Sequence, residues 1–200
     1  VTVAVLDTGV SPHTDLDGNV IDRLDTVNSD GIDRQGHGTH VAGTVGSSTY
    51  GVAKSVSLVS VRVLDCSGGG SNATVIAGLD WIVSDHVAGV KAVANMSLGG
   101  GFSSALNSAV DRVINDGIVM AVAAGNESVS ACSKSPASAP AAITVAASDS
   151  SDNRASFSNY GSCVDIFAPG VSILSTLNGG GSGRADGTSM ASPHVAGAAA

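Results

Sequence analysis

Two hundred residues, 43% hydrophobic but only 3% aromatic and with 26 glycines, suit one domain with a core of Val, Ala, Ile and Leu; a chain this long buries roughly 70% of the surface it exposes when unfolded. Nine basic against seventeen acidic residues leave a formal charge of -8, which argues against nucleic acid and anionic membrane as partners. The longest apolar run, residues 118–124, is too short to span a bilayer and no leader-like segment opens the chain, so no membrane partner is expected and an exported protein would already have lost its signal.

In chain order, residues 1–6 form a short β-branched apolar run that reads as a buried strand, delivering Asp7 to its C-terminal end ahead of the turn residues Thr8 and Gly9. Residues 13–33 are polar and carry Asp15, Asp17, Asp22, Asp25, Asp30 and Asp33. They read as a surface loop with at most a short strand, where clustered oxygens suit calcium but are more often simply solvated. A helix is expected over 37–45 and a strand over 56–64. The flexible loop 67–71 leads to a helix over 73–85, capped by Asn72, whose Val75, Ile76, Leu79, Ile82 and Val83 share one face. A strand over 91–98 runs into three glycines. The next helix, 104–116, buries Leu106, Ala109, Val110, Val113 and Ile114 and closes at Gly117.

Strands are then expected over 118–123, 143–147, 164–167 and 171–175, and an apolar helix follows Ser189. This alternation implies an α/β domain, a three-layer α/β/α stack around a mostly parallel sheet. Such sheets collect sites at the carboxyl ends of their strands, where Asp7 and Asn126 fall. The glycine-rich stretch 179–183 lacks the Gly-Lys-Ser/Thr ending of a phosphate cradle and opens no helix, so it reads as a mobile loop. No repeat or linker divides the chain, and residues 1–200 read as one catalytic domain. Residue 1 lies in the first strand and residue 200 in the last helix, without cap or stop signal, so truncation at both ends is expected.

The chemistry gathers at Gly187-Thr188-Ser189-Met190-Ala191, where a hydroxyl sits among small residues just before a helix. A serine nucleophile needs a base and a group that orients the base. Asp7-Thr8-Gly9 and Gly36-His37-Gly38-Thr39-His40 supply an aspartate and a histidine upstream. The order Asp, His, Ser differs from that of α/β-hydrolases and chymotrypsin-like enzymes and agrees with the subtilisins. Together with Ala124-Gly125-Asn126, these blocks resemble the four signatures of the subtilisin-like serine proteases. Thr49-Tyr50-Gly51-Val52-Ala53-Lys54 and Ser156-Phe157-Ser158-Asn159-Tyr160-Gly161-Ser162 resemble the proteinase K branch. The likeness runs from end to end.

That resemblance implies Ser189 as nucleophile, His37 as general base and then acid, and Asp7 as the group that orients the imidazole. It implies Asn126 and the Ser189 N–H as oxyanion donors. Asn126-Glu127-Ser128 is also a glycosylation sequon, but a glycan there would obstruct the site; the sequons at Asn72 and Asn95 carry little weight, the second lying in a buried strand. Gly68, Gly69 and Gly70 resemble one edge of a peptide cleft and Ser97, Leu98, Gly99 and Gly100 the other, so an extended substrate would add as a strand with broad specificity. Ala123, Ala124, Gly125 and Thr188 would line an apolar pocket for P1, the residue on the acyl side of the scissile bond.

Asp165 with the carbonyls of Pro140 and Ala142 matches a structural calcium site of that branch. Cys132 and Cys163 match a disulfide of some relatives, which suits an oxidising, extracellular setting. Cys66 is left unpaired, because relatives that pair it have cysteine where this chain has Arg34. His37-x-x-His40 lacks the glutamate of a zinc helix, so His40 and His194 read as structural and His13 and His86 as surface residues. Asp186, three residues before Ser189, would raise the pKa of His37 if it lay close. Met190 beside the nucleophile is an expected point of oxidative inactivation. The reading is a secreted, monomeric serine endopeptidase acting on polypeptides through an acyl-enzyme. The alternatives are an inactive fragment or pseudoenzyme that keeps the peptide groove, and a less favoured α/β-hydrolase esterase, whose nucleophile would sit in Gly-x-Ser-x-Gly instead of Gly-x-Ser-x-Ala.

Overall fold

The computed structural model describes residues 1–27 and 30–200; Asn28 and Ser29 of the acidic loop lie outside the described residues. The opening apolar run is strand β1 (Thr2–Asp7), followed by β2 (Val20–Asp25), α1 (His37–Gly46), β3 (Ser57–Arg62) and α2 (Asn72–Asp85). Then come β4 (Ala92–Met96), β5 (Gly100–Gly101), α3 (Ser104–Asn115), β6 (Val119–Ala123) and β7 (Lys134–Ser135). The chain closes with β8 (Ile143–Ser148), β9 (Ile166–Pro169), β10 (Ile173–Thr176), β11 (Ser182–Ala185) and α4 (Thr188–Ala199). Seven strands form one sheet in the order β2-β3-β1-β4-β6-β8-β9, and every neighbouring pair is parallel.

Strand alternation sorts the apolar side chains into two layers. Val3 and Val5 join Leu58, Val93 and Ala121 under Val41 and Val45 of α1 and Met190 and Ala196 of α4. Ala4 and Leu6 join Val61, Met96 and Met120 against Leu79 and Ile82 of α2 and Leu106, Val110 and Val113 of α3. The sheet is therefore covered on both faces, the three-layer arrangement expected of strands that carry apolar side chains on both faces. Each fully buried Val or Leu contributes about 1.5–3 kcal/mol. Both Asp7 and the loop after β6 emerge at the carboxyl edge of this sheet, so the fold itself delivers them to one place.

Several local features differ from expectation. Helix α2 is capped by Ser71, not Asn72: the Thr74 N–H donates to the Ser71 hydroxyl and the Ser71 N–H to the Thr74 hydroxyl, both at 3.1 Å. This reciprocal box satisfies two otherwise orphaned N–H groups, which one asparagine side chain cannot do. The run expected at 171–175 gives β10, which stays out of the central sheet and pairs antiparallel with β11. The turn between them is made by Gly179, Gly180 and Gly181, all at positive φ (81, 97 and 77°), a backbone that glycine adopts without penalty.

His13 and His86 are not loose surface residues. His13 is 8% exposed; its Nδ1 accepts the Asp15 N–H at 3.0 Å and its Nε2 donates to the Gly181 carbonyl at 2.8 Å. His86 sits between Asp116 Oδ2 at 2.6 Å and the Val90 carbonyl at 2.8 Å. The acidic loop likewise directs carboxylates to its own donors: Asp25 accepts from the Val27 and Gly31 N–H groups and Asp30 pairs with Arg34. No cluster of three or more potential metal-ligating side chains occurs among the described residues.

Candidate active site

Asp7 ends β1 fully buried, and its Oδ1 accepts the Thr8 N–H at 2.8 Å. The same oxygen lies 2.7 Å from Nδ1 of His37, the first residue of α1. A carboxylate only accepts, so Nδ1 carries the proton and Nε2 is left with its lone pair. Strand end and helix start approach so closely that a Cβ on Gly38 would collide with the Gly9 carbonyl, while Gly36, on the other side of His37, sits at φ 107°, where glycine is favoured. The charge of Asp7 raises the His37 pKa above its ordinary 6.5; burial opposes it, and the Asp7 hydrogen bond and Asp33 add to the rise. Asp186 does not contribute to that rise; its carboxylate accepts the Ser172 N–H.

Asp33 was assigned above only to the acidic loop, yet it is 2% exposed. Its Oδ1 accepts from the Thr8 hydroxyl at 2.9 Å and from the N–H groups of Gln35 at 2.9 Å and Gly36 at 2.8 Å. Its Oδ2 accepts from the Thr39 N–H at 2.9 Å and the Thr39 hydroxyl at 2.6 Å. The Thr8 hydroxyl in turn accepts the Gly38 N–H at 2.9 Å. One buried carboxylate thus ties the end of β1 to the start of α1, where the helix dipole favours negative charge. The available sequence signal was an Asp within four residues of a helix start.

Ser189 is the second residue of α4. Its hydroxyl donates to the Ser97 carbonyl at 3.1 Å rather than to His37, while the Ser97 hydroxyl donates back to the Ser189 carbonyl at 2.7 Å. Pro193, inside the helix, explains the second bond: it has no N–H for the carbonyl four residues earlier, and that carbonyl belongs to Ser189. Asn95 supports the arrangement, donating to the Ser97 hydroxyl at 3.0 Å and accepting from that of Ser192 at 2.7 Å. Asn95 is fully buried, so its sequon is internal. Met190, expected to be open to oxidation, is only 2% exposed and packs in the core.

Asn126 follows β6, and its Oδ1 accepts the Thr188 N–H at 2.8 Å and the Thr188 hydroxyl at 3.0 Å. Those donors fix the amide, so Nδ2 is the free end. A Cβ placed on Gly187 would lie 3.5 Å from the Ser189 nitrogen and 3.7 Å from Asn126 Nδ2. Two N–H donors therefore flank one point, kept clear by a glycine.

His37 and Ser189 open on two depressions that share the 98–100 segment. The larger, about 500 Å³, runs between Gly68, Gly69 and Gly70 on one wall and Ser97, Leu98 and Gly99 on the other, with His37 and Thr8 at one end. Asp65 shapes the first wall by accepting the N–H groups of Ser67 at 2.8 Å and Gly69 at 3.0 Å. The smaller, about 150 Å³, is lined by Ala123, Ala124, Gly125, Thr188, Asn126 and Ser189, and also by the ion pair of Glu127 and Lys134. An apolar pocket was expected there; the charged pair was not.

Elsewhere, Cys132 and Cys163 form a disulfide with Cα atoms 5.3 Å apart and a sequence separation of 31. Closing such a loop stabilises by about 3–4 kcal/mol in the chain-entropy account. Cys66 is exposed and free, its sulfur accepting from the Arg62 guanidinium at 3.3 Å. Pro140 and Asp165 line a depression of about 170 Å³, whereas Ala142 does not line it. Asp165 Oδ2 takes the Thr144 N–H at 2.8 Å, leaving Oδ1 as a hard oxygen donor of the type that fits calcium.

The subtilase family model matches residues 1–200. An extracellular serine proteinase of Thermus sp. (strain Rt41A) is 55% identical over 98% of this chain and 48% of its own length. Alkaline serine exoprotease A of Vibrio alginolyticus is 53% identical over 100% of this chain and 38% of its own. Subtilisin-like protease 7 of Arthroderma otae is 51% identical, covering 100% and 50%. The chain thus spans half or less of these curated relatives. A crystal structure of a cold adapted subtilisin-like serine proteinase superposes with a TM-score of 0.94 at 51% identity, over 98% of this chain and 72% of that one. With its full length matched and these identities at hand, the chain belongs to the subtilase family.

Proposed function

We propose that the chain is the catalytic portion of a secreted serine endopeptidase that hydrolyses peptide bonds through an acyl-enzyme, with Asp7, His37 and Ser189 as its triad. The observation that carries this reading is the 2.7 Å bond from His37 Nδ1 to a buried Asp7 beside a cleft. That bond leaves His37 Nε2 as a base, on a residue that lines the same cleft as Ser97, Leu98 and Gly99. At rest the Ser97 carbonyl holds the Ser189 hydroxyl. A peptide added along this wall as a strand presents an N–H to the same carbonyl, releasing the hydroxyl to His37. Oγ then attacks the scissile carbonyl and its proton passes to Nε2. The imidazolium, supported by Asp7, returns that proton to the leaving amine as the C–N bond breaks, and water hydrolyses the ester by the same route. Asn126 Nδ2 and the Ser189 N–H stabilise the oxyanion, where one such donor is worth about 10²- to 10³-fold in kcat.

Backbone-lined walls favour broad specificity, and the alanines of the smaller pocket favour an apolar P1 side chain. Export is supported by the disulfide and by the extracellular relative; polypeptides are the substrates and the working form is a monomer. The acidic charge of -8 gives no basis for nucleic acid or anionic membrane as partners, and no helix among the described residues is long and apolar enough to cross a membrane. The direct test is labelling with a fluorophosphonate probe, with the adduct mapped to the peptide that contains Ser189. A folded protein that takes up no label would support the inactive-fragment reading instead.

Two further results are expected. His37 works as a base only when neutral, and its pKa is raised above 6.5 by Asp7. Activity should therefore rise with pH through a midpoint above that value, and a kcat/KM profile with its midpoint at or below it would contradict the assignment. Calcium held by Asp165 and Pro140, which line the same depression, would stabilise the native state. At a hundredfold excess over Kd its removal costs about 2.7 kcal/mol, or roughly 5–10 °C in Tm for a domain of this size. A melting curve unmoved by chelator would eliminate the site.

A further inference from the structure

The ion pair in the smaller depression points to a specificity that the alanine walls alone do not give. Lys134 reaches it because β7 pairs with β5, setting Lys134 opposite Gly101 beside the 98–100 wall. Its Nζ lies 3.0 Å from Glu127 Oε1, with its side chain 24% exposed. Glu127 Oε2 accepts from Asn159 Nδ2 at 2.8 Å, so both of its carboxylate oxygens are engaged. Burial pushes the Glu127 carboxyl up, but hydrogen bonds from Lys134 and Asn159 prevail and hold it below its ordinary value, so it stays ionised.

Hydrogen-bonding capacity decides what this pair can still do. An ammonium has three donors and no acceptor. Among the described residues Lys134 Nζ has Glu127 as its one partner. The pocket therefore has donors to offer, beside a carboxylate whose two oxygens each already accept one bond.

We propose that Lys134 is a specificity-determining residue that extends the P1 preference from apolar side chains to those ending in a hydrogen-bond acceptor, glutamine first. The proposal rests on the peptidase reading above. Glutamine is favoured over glutamate because the Glu127 carboxylate beside Lys134 repels a second negative charge. It is favoured over lysine because an ammonium brings no acceptor to the Lys134 donors and the Glu127–Lys134 pair, neutral overall, offers it no net opposite charge.

The test uses the full-length protein and two peptides identical except at P1, one with Gln and one with Met, which have similar length and volume. The ratio of kcat/KM for the Gln peptide over the Met peptide is expected to fall about tenfold in Lys134→Met, the lower end for a charge-assisted hydrogen bond open in part to water. Each ratio is taken on one enzyme, so a general loss of folding or of Ser189 reactivity cancels. An unchanged ratio would overturn the proposal while leaving the peptidase reading intact. In Glu127→Gln, cleavage after Glu should rise relative to cleavage after Gln, and no rise would place the Lys134 donors outside the pocket and overturn the assignment. A wild type that cleaves neither peptide would sink the peptidase reading and this inference with it.

Discussion

Ser189→Ala is expected to lower kcat about 10⁶-fold, the scale of losing a triad nucleophile, while barely changing stability or peptide affinity. Among the described residues the hydroxyl makes one hydrogen bond, to the Ser97 carbonyl. Losing such a neutral bond at a partly open site costs about 1 kcal/mol or less. The bond that anchors the helix start is made by the Ser189 backbone carbonyl, which alanine keeps, so the Ser97 and Asn95 links persist. Asn126 also keeps its clamp on Thr188, because that contact involves no Ser189 atom. The oxyanion donors and cleft walls therefore remain, and a residual acceleration of about 10³- to 10⁴-fold over water is expected from them. Steady-state kinetics on a peptide, with Tm and a product-peptide Kd measured in parallel, separates the outcomes. Substantial remaining turnover would remove Ser189 from its role, and a collapse of Tm would show that the residue acts through the fold.

The layers of this fold could be read in the sequence because the strands are apolar on both faces. Residues 1–6, short and rich in β-branched residues, read as a strand covered on both sides, and the spacing of Leu79 and Ile82 or Leu106, Val110 and Val113 reads as a helix with one apolar face. What could not be read was partner choice. Residues 171–175 read as another sheet strand, and the pairing of β10 with β11 depends on the turn at 179–181 and on His13 reaching Gly181 across 168 positions. Similarly, Asn72 and Ser71 are both acceptable caps in isolation. The reciprocal bond with Thr74 decides between them, and it exists only once the turn is formed.

At the site, residues inside the sequence blocks could be identified and the residues that hold them could not. The roles proposed for Asp7, His37, Asn126 and Ser189 demand particular residue types. Asp33 carries none of its own; its burial follows from Thr8 and Thr39 converging on it from two elements. Ser97 and Asn95 matter because Pro193 strips the Ser189 carbonyl of its helical donor, a connection that crosses 92 positions. Lys134 lies outside every block and enters the pocket through a two-residue strand pairing. In each case the missing information was a long-range contact between residues whose types are ordinary in their own surroundings.

Asp7→Asn is expected to lower kcat about 10⁴-fold, and here the dominant loss is one of charge. Asp7 Oδ1 accepts from both the Thr8 N–H, at 2.8 Å, and His37 Nδ1, at 2.7 Å. An asparagine that keeps its oxygen at this point retains both bonds and the His37 tautomer. Its NH₂ then occupies the place of Oδ2, which is buried and has no partner among the described residues, a cost of about 1–3 kcal/mol in stability. Turned the other way, it gives up Thr8 and offers His37 a donor, which moves the ring proton to Nε2 and blocks the base. Either orientation removes the negative charge that supports the imidazolium. Asp7 is also the largest cause of the raised His37 pKa, ahead of Asp33 on the neighbouring loop, while His40 on α1 is itself held low by burial. Removing the Asp7 charge must therefore shift the acid limb of the kcat/KM profile to lower pH, even as the plateau falls. The neutral base becomes available earlier in the titration, but it is weaker and its protonated form lacks support. A plateau that drops with the midpoint unmoved would mean that Asp7 acts by holding the turn at Thr8, and the carboxylate would lose its electrostatic role.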